Sequence, residues 1–355
     1  MIHRREFLAG AGALAVLPAT VRAQAPPATN TPATITPATI TPGLIAAARK
    51  EGKVTQYSSN DLTLATTLAK SFEAKYPGIT VQLERSGAER NYQRISQEYA
   101  SNIRVVDVVT SSDLSYLVSW KKSGLITPYL TEEAMRFSAD AREADGFYTK
   151  ETFSLMIPAY NPQLVKGADI PKSWADLLDP KWKGKMVKAH PGYSGNIMTG
   201  TYILSKTLGW GYFEKLAKQQ IMQVQSAVDP AQRVAQGERQ VAADGSENSA
   251  FRTARKGGPV VPIYPAEGSP TVPVGVAVMA AAPHPNAARL LVHFILSPEG
   301  QQILADYGGR SFLPGIAVPS GLAPTEQLKL LHADPAAVAE ETEAIRKRYT
   351  QLFAI

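Results

Sequence analysis

The residues best suited to chemistry in this 355-residue chain are small and polar, and they recur at one kind of place. Ser58-Ser59-Asn60, Arg85-Ser86-Gly87 and Ser111-Ser112-Asp113 each follow a short apolar or alternating run, and Ser194-Gly195-Asn196 follows another. Hydroxyls, amides and free backbone N–H groups at such places hydrogen-bond a small solute; they supply no activated nucleophile. The Ser-Gly-Asn triplet also opens a helical run from Ile197 to Leu208, where unpaired backbone N–H groups and the positive end of the helix dipole make a seat for an anion. The same residue types form ordinary turns and N-caps, so each triplet has two readings. Their recurrence at topologically equivalent places favours the binding one.

Catalytic patterns are poor by comparison. Gly10-Ala11-Gly12-Ala13-Leu14-Ala15 fits the dinucleotide fingerprint but has no strand before it. Ser119-Trp120-Lys121-Lys122 fits SxxK without the companion Ser-Asp-Asn or Lys-Thr-Gly. The five histidines, His3, His190, His284, His293 and His332, form no HExxH, and neither GxSxG nor a P-loop occurs. With no cysteine, a disulfide framework, a thiolate zinc site, a cysteine nucleophile and an acylated lipoprotein cysteine are all excluded. A periplasmic enzyme using two distant carboxylates stands as the alternative from a different class.

The elements that must position these residues alternate. Val54 to Tyr57 reads as a strand, Leu62 to Tyr76 as a helix stopped by Pro77-Gly78, and Ile79 to Leu83 as a strand. Glu89 to Ser101 has helical spacing, and Val105 to Val109 is a wholly apolar strand of the kind found inside parallel sheets. A second unit starts near Met156, with a strand ending at Tyr160-Asn161-Pro162 and another from Met186 to Ala189. Such alternation predicts an α/β fold, in which ligands bind beyond the carboxyl ends of the strands. About 310 residues follow the segment that ends at Pro42, more than one core serves, so two domains are expected.

Ahead of Gly43 the chain reads as export machinery and spacer. Arg4 and Arg5 precede Glu6-Phe7-Leu8 and a run of apolar and glycine residues, with Ala23-Gln24-Ala25 as a cleavage pattern: a twin-arginine signal peptide over residues 1–25, and hence a periplasmic protein. Pro18 and Arg22 cut the run short of the about 20 apolar residues that a membrane span needs, so the mature chain is not expected to be inserted in a membrane. Residues 26–42 carry Thr-Pro-Ala-Thr-Ile twice and read as an extended linker. The chain has 37 basic and 31 acidic residues, a formal net charge of +6; removing residues 1–25 takes away three arginines and one glutamate and lowers it to +4. The bases are scattered, without the stripe of a nucleic-acid binder.

Several segments resemble one family in order and spacing. They are Ala47-Ala48-Arg49-Lys50-Glu51-Gly52-Lys53-Val54 with Tyr57-Ser58-Ser59, Asp107-Val108-Val109 with Ser111-Ser112-Asp113, and Tyr160-Asn161-Pro162. Trp174-Ala175-Asp176-Leu177 with Asp179-Pro180-Lys181-Trp182-Lys183-Gly184 comes next, then His284-Pro285-Asn286-Ala287-Ala288-Arg289-Leu290 with Leu296-Ser297-Pro298-Glu299-Gly300-Gln301. The chain resembles the extracellular solute-binding proteins of ABC importers, in the branch that includes the ferric-ion binders. The resemblance implies a two-lobed α/β fold of the periplasmic binding protein type II class, with a hinge and an interlobe ligand cleft. Lobe one would comprise residues 43–155 and 272–355, with a C-terminal helical tail, and lobe two residues 156–271. It also implies a membrane permease and its ATPase as partners, a small-molecule ligand and no cofactor.

Ferric binders of this family carry two adjacent tyrosines before a helix of lobe two. The corresponding stretch here is Asp244-Gly245-Ser246-Glu247-Asn248-Ser249-Ala250-Phe251-Arg252, without them. Ferric ion favours anionic oxygen ligands; Tyr57, Tyr160 and Tyr193 with Glu89 or Glu247 would be the residues for that alternative. The family's anion seat carries over onto Ser194, Gly195 and Asn196. The expected ligand is therefore a small organic anion, a phosphonate, phosphate ester or carboxylate. Those N–H groups and Ser58, Ser59, Asn60, Ser86, Gly87, Ser111 and Ser112 would hold it, with Asn248 and Arg252 at the other end and Tyr160, Tyr193 and Phe251 as walls.

Overall fold

The computed structural model describes residues 36–354. The expected signal peptide at 1–25 and residues 26–35 of the expected linker lie outside them.

Local sequence sets the first half. Thr41 caps helix α1 (Pro42–Glu51) by accepting a 3.1 Å hydrogen bond from the Leu44 N–H, and Gly52 ends it in the left-handed region at φ 71°. Strands β1 (Lys53–Ser58), β2 (Thr80–Arg85) and β3 (Val108–Ser111) alternate with helices α2 (Leu62–Lys75), α3 (Ala88–Ala100) and α4 (Leu114–Lys122). The third strand lies later than the apolar run Val105 to Val109 suggests, because Val105 is exposed and the polar Thr110 and Ser111 are buried in the sheet. Short β4 (Ile126–Thr127) leads to β5 (Thr149–Leu155).

A second sheet follows, from β6 (Ala159–Tyr160), β7 (Met186–Ala189), β8 (Met222–Val224), β9 (Val241–Ala242) and β10 (Val261–Pro262). Around it lie α5 (Gly195–Thr207), α6 (Trp210–Ala217), α7 (Asp229–Ala235) and α8 (Glu247–Arg255). The long β11 (Ser269–Met279) then returns to the first sheet, before α9 (Pro285–Leu296), α10 (Pro298–Asp306), β12 (Leu330–Leu331) and α11 (Pro335–Phe353).

The first sheet runs in the order β12-β11-β3-β1-β2, with β4 and β5 also paired to β11. Its β1, β2 and β3 are parallel, whereas β11 is antiparallel to β3 and β5. The second sheet runs β10-β6-β9-β7-β8, with β7 parallel to both neighbours. Each sheet has its own core: Phe72, Phe294 and Leu291 lie in one, and Trp174, Phe213 and Leu204 in the other. The chain is thus α/β with two lobes, crossed by the β5–β11 ribbon. Helix α11 packs on α4 of the first lobe and on α5 and α6 of the second.

Several residues that carried the family resemblance prove to be scaffold. The Glu51 carboxylate accepts from the Asn286 and Ala287 backbone N–H groups at 3.0 and 2.7 Å, capping α9 from the end of α1. Buried Asp107 accepts from the backbone N–H groups of Thr55 and His284, both at 2.7 Å. No helix among the described residues is long and apolar enough to cross a membrane.

Candidate functional site

Between the lobes, floored by the β5–β11 ribbon, lies a cleft of about 340 Å³. Thr152, Phe153 and Ser154 on β5, and Val272 and Val274 on β11, line the floor.

Three helices aim their N-termini at this space. The N-cap residues of α3, α5 and α8 are Gly87, Ser194 and Ser246; all three line the cleft, and none makes a side-chain capping hydrogen bond. By contrast, Asp61 caps α2 and Asp113 caps α4, accepting from Thr63 N–H and Ser115 N–H, both at 3.0 Å. Helices of 13, 13 and 9 residues therefore leave their first-turn N–H groups and positive dipole ends facing one cavity.

The cleft also holds Arg85, Arg90 and Arg252 beside Asp61, Glu89 and Asp229. Each of the three acids is already engaged. Asp61 pairs with Arg252 at 3.5 Å, Glu89 accepts from the Tyr116 hydroxyl and from Gln93, and Asp229 accepts from the Ser226 N–H at 3.2 Å. Arg252 also donates to the Tyr307 carbonyl at 3.3 Å. Burial lowers its pKa from the ordinary value while Asp61 opposes the shift, so it reaches the cleft as a largely desolvated cation.

Of the residues expected from sequence, Ser59, Asn60, Gly87, Ser112, Tyr193, Ser194, Gly195, Asn196, Asn248 and Arg252 line the cleft. Ser59 Oγ accepts from the Ser112 N–H at 2.8 Å, joining the ends of β1 and β3. Asn248 and Arg252 are one helical turn apart, hence on one face of α8.

Five expected residues lie elsewhere. Ser58 has no exposed surface; its hydroxyl accepts from Thr110 Oγ1 at 2.7 Å and from the Asn60 N–H at 3.2 Å. Ser111 is buried and donates to the Asp113 carbonyl at 2.8 Å. Ser86 is outside the lining, its N–H donating to the Ser58 carbonyl at 3.1 Å. Tyr160 is held in β6 between Val241 and Val261. Buried Phe251 is outside the lining: it sits, with Asn248, against Gly308. A triplet at a strand end is not wholly exposed, because its earlier residue still belongs to the sheet.

The residues named for iron are dispersed. Buried Tyr57 donates to Glu98 at 2.8 Å, and Glu247 forms a two-pronged pair with Arg310 at 2.9 and 2.7 Å. Tyr193 and Glu89 alone of that set reach the cleft. Among the described residues, no group of three or more His, Asp or Glu side chains is arranged to hold a metal ion.

Sequence reasoning missed the floor residues on β5 and β11, for which no local signal exists. It also missed Gln225, Ser226 and Asp229, although Val224-Gln225-Ser226 ends a strand in the same polar manner as the three triplets it singled out.

Residues 54–310 match the family model described as bacterial extracellular solute-binding protein, and the chain belongs to that family. A protein of Salmonella typhimurium named as a candidate 2-aminoethylphosphonate-binding periplasmic protein is 25% identical over 267 residues, 71% of this chain and 74% of that one. Among solved structures, the periplasmic binding protein AfuA of Actinobacillus pleuropneumoniae, with fructose-6-phosphate bound, aligns with a TM-score of 0.78 at 22% identity, over 86% of this chain and 99% of that one. Iron-bound HitA of Pseudomonas aeruginosa aligns with a TM-score of 0.74 at 24% identity, over 84% and 99%. The fold is that of a two-lobed periplasmic binding protein, as the sequence resemblance implied.

Proposed function

We propose that this chain is the periplasmic substrate-binding component of an ABC importer. It captures a small organic anion, a phosphonate, phosphate ester or carboxylate, by closing its lobes, and performs no chemistry. Residues 43–155 and 272–355 would move as one lobe against 156–271, with β5 and β11 as the hinge. A permease with its ATPase would receive the closed form.

The observation that carries this reading is the convergence of three helix N-termini without side-chain caps on one cleft, where every lining carboxylate is already hydrogen-bonded. Free donors and engaged acceptors favour an anionic ligand over a cationic one. Arg252 adds a guanidinium, and the hydroxyls of Ser59, Ser112 and Ser194 complete the grip. The relative named for 2-aminoethylphosphonate and the neighbour holding a sugar phosphate both fit a ligand with an oxyanion.

Thermal shift of the full chain against 2-aminoethylphosphonate, sugar phosphates, carboxylates and ferric citrate tests it. A ligand at a hundredfold excess over its Kd stabilises by about 2.7 kcal/mol. A rise with an oxyanion is expected, weakened about tenfold in affinity by Ala88→Pro. That change removes one α3 N–H donor at a position where proline fits, since Gly87 is already extended at φ −65°, ψ 153°. A rise with ferric citrate alone, with tyrosinate colour, would return the protein to iron transport. Conversion of the ligand, seen by phosphorus NMR, would make it an enzyme.

A further inference from the structure

Behind the β5–β11 ribbon lies a second cavity, larger than the cleft at about 540 Å³. On β11, Val272 and Val274 line the cleft while Thr271 and Pro273 line this cavity, as side chains alternate along a strand. Lys150 joins them from β5 across the register shift at Val274/Gly275. Leu114, Leu330, Pro335 and Val338 give the cavity apolar walls, and the Phe153 and Phe312 rings that also line it lie 5.0 Å apart. The volume falls within the about 300–1,000 Å³ usual for small-molecule sites.

Two donors of the lining are uncommitted. Lys150 is half-buried; burial lowers its pKa, and only the charges of Asp140 and Asp334, not a hydrogen bond, oppose that shift. The Thr199 hydroxyl, on α5, is not tied back to its helix. Those of Thr67, Thr207 and Thr342 are, donating to the carbonyl four residues earlier at 2.8, 2.9 and 2.8 Å. Thr199 keeps 8% of its surface, and like Lys150 it lines this cavity and not the cleft.

The neighbouring acids oppose an anion only weakly. Asp140 and Asp334 are exposed, where solvent and salt screen them. Asp113 caps α4 through Oδ1, and its Oδ2 is sealed against Gly195, which lines the cleft. Other polar groups are satisfied within the protein: the Thr271 hydroxyl donates to the Leu331 carbonyl at 3.0 Å, and the Ser311 hydroxyl to Gln301.

Apolar walls, a pair of aromatic rings and a partly desolvated cation without a hydrogen-bonding partner match a molecule with an aromatic body and one anionic acceptor. We propose that this second cavity binds a small aromatic carboxylate. Its carboxylate pairs with the Lys150 ammonium, its ring packs against Phe153 and Phe312, and Thr199 offers a second donor. The site is distinct from the cleft and does not depend on the importer reading.

Calorimetric titration of the full chain with phenylacetate tests this, with 2-phenylethanol and phenethylamine as neutral and cationic counterparts. One equivalent of phenylacetate is expected to bind here, more tightly than either counterpart. Lys150→Met, which keeps an apolar stem and breaks no hydrogen bond, is expected to weaken it about tenfold or more. Ala333→Trp, at a half-buried loop residue of the lining, is expected to block it by filling the space. Ala88→Pro, a change at the cleft, is expected to leave it unaltered. Absence of phenylacetate binding at millimolar concentration, equal binding of phenethylamine, or unchanged affinity in Ala333→Trp would overturn the proposal. Weakening by Ala88→Pro with no effect of Lys150→Met would place the carboxylate in the cleft and overturn it too. The tryptophan variant decides it even where Lys150→Met fails to fold.

Discussion

Asn60, at the rim of the cleft, donates a 2.8 Å hydrogen bond from its side-chain amide to Glu151 on β5, a carboxyl group with no exposed surface. The Asn60 carbonyl in turn accepts from Arg85 Nε at 3.0 Å, so β5, the end of β1 and the end of β2 are tied through one residue. The other Glu151 oxygen is buried without a partner. Burial pushes the Glu151 pKa up to about 7, against the pull of the Asn60 bond.

A carboxyl group raised above its unfolded value is best accommodated when protonated. Its contribution to stability is complete below the unfolded value near 4.5 and is lost as pH rises through about 7. Glu151→Gln keeps an acceptor for Asn60 and removes the ionisation. Between pH 4.5 and pH 8 the natural protein is expected to lose on the order of 3 kcal/mol relative to this variant. Urea unfolding of both proteins across that range checks it; parallel pH profiles would contradict the assignment.

The Glu247–Arg310 pair joins the first residue of α8 to the segment after α10, with side chains 0% and 1% exposed. Arg310 also pairs through its backbone with Phe153 on β5, at 2.9 and 2.8 Å. Arg310→Met strands a buried carboxylate and is expected to cost about 3–5 kcal/mol. Adding Glu247→Met removes the stranded charge and should restore part of that loss. Chemical denaturation of the two variants measures both effects, and a double variant no more stable than Arg310→Met would count against the explanation.

Helix α4 rests directly on β11 at Gly275. A Cβ at this position would lie 2.5 Å from Leu117 Cδ1 and 2.8 Å from Leu114 Cδ2. Gly275→Ala is therefore expected to destabilise the protein by about 1–3 kcal/mol through overpacking, although alanine suits a strand backbone no worse than glycine. Thermal unfolding checks the loss, and pairing the change with Leu117→Ala should relieve it.

The family and the fold were legible in the sequence because their signals are local. Strand–helix alternation and the stops at Gly52 and Pro77-Gly78 follow from periodicity and backbone preference. So does the placing of polar triplets beyond strand ends, which is why ten of the expected cleft residues do line it. Of the three uncapped helix starts, that of α3 follows from the sequence, since Gly87 offers no side chain to cap with.

Tertiary structure alone decided which member of each triplet reaches the cleft. Ser58 and Ser111 turn into the first sheet while Ser59 and Ser112 do not, because the Thr110 hydroxyl and the backbone of Asp113 claim their hydroxyls. Only the antiparallel pairing of β5 with β11 brings Thr152, Ser154, Val272 and Val274 together as a floor. The same pairing, through its register shift at Val274/Gly275, puts Lys150 with Thr271 and Pro273 on the opposite face, where they wall a second cavity. Pairing between segments so far apart in the chain depends on packing, which no local periodicity encodes.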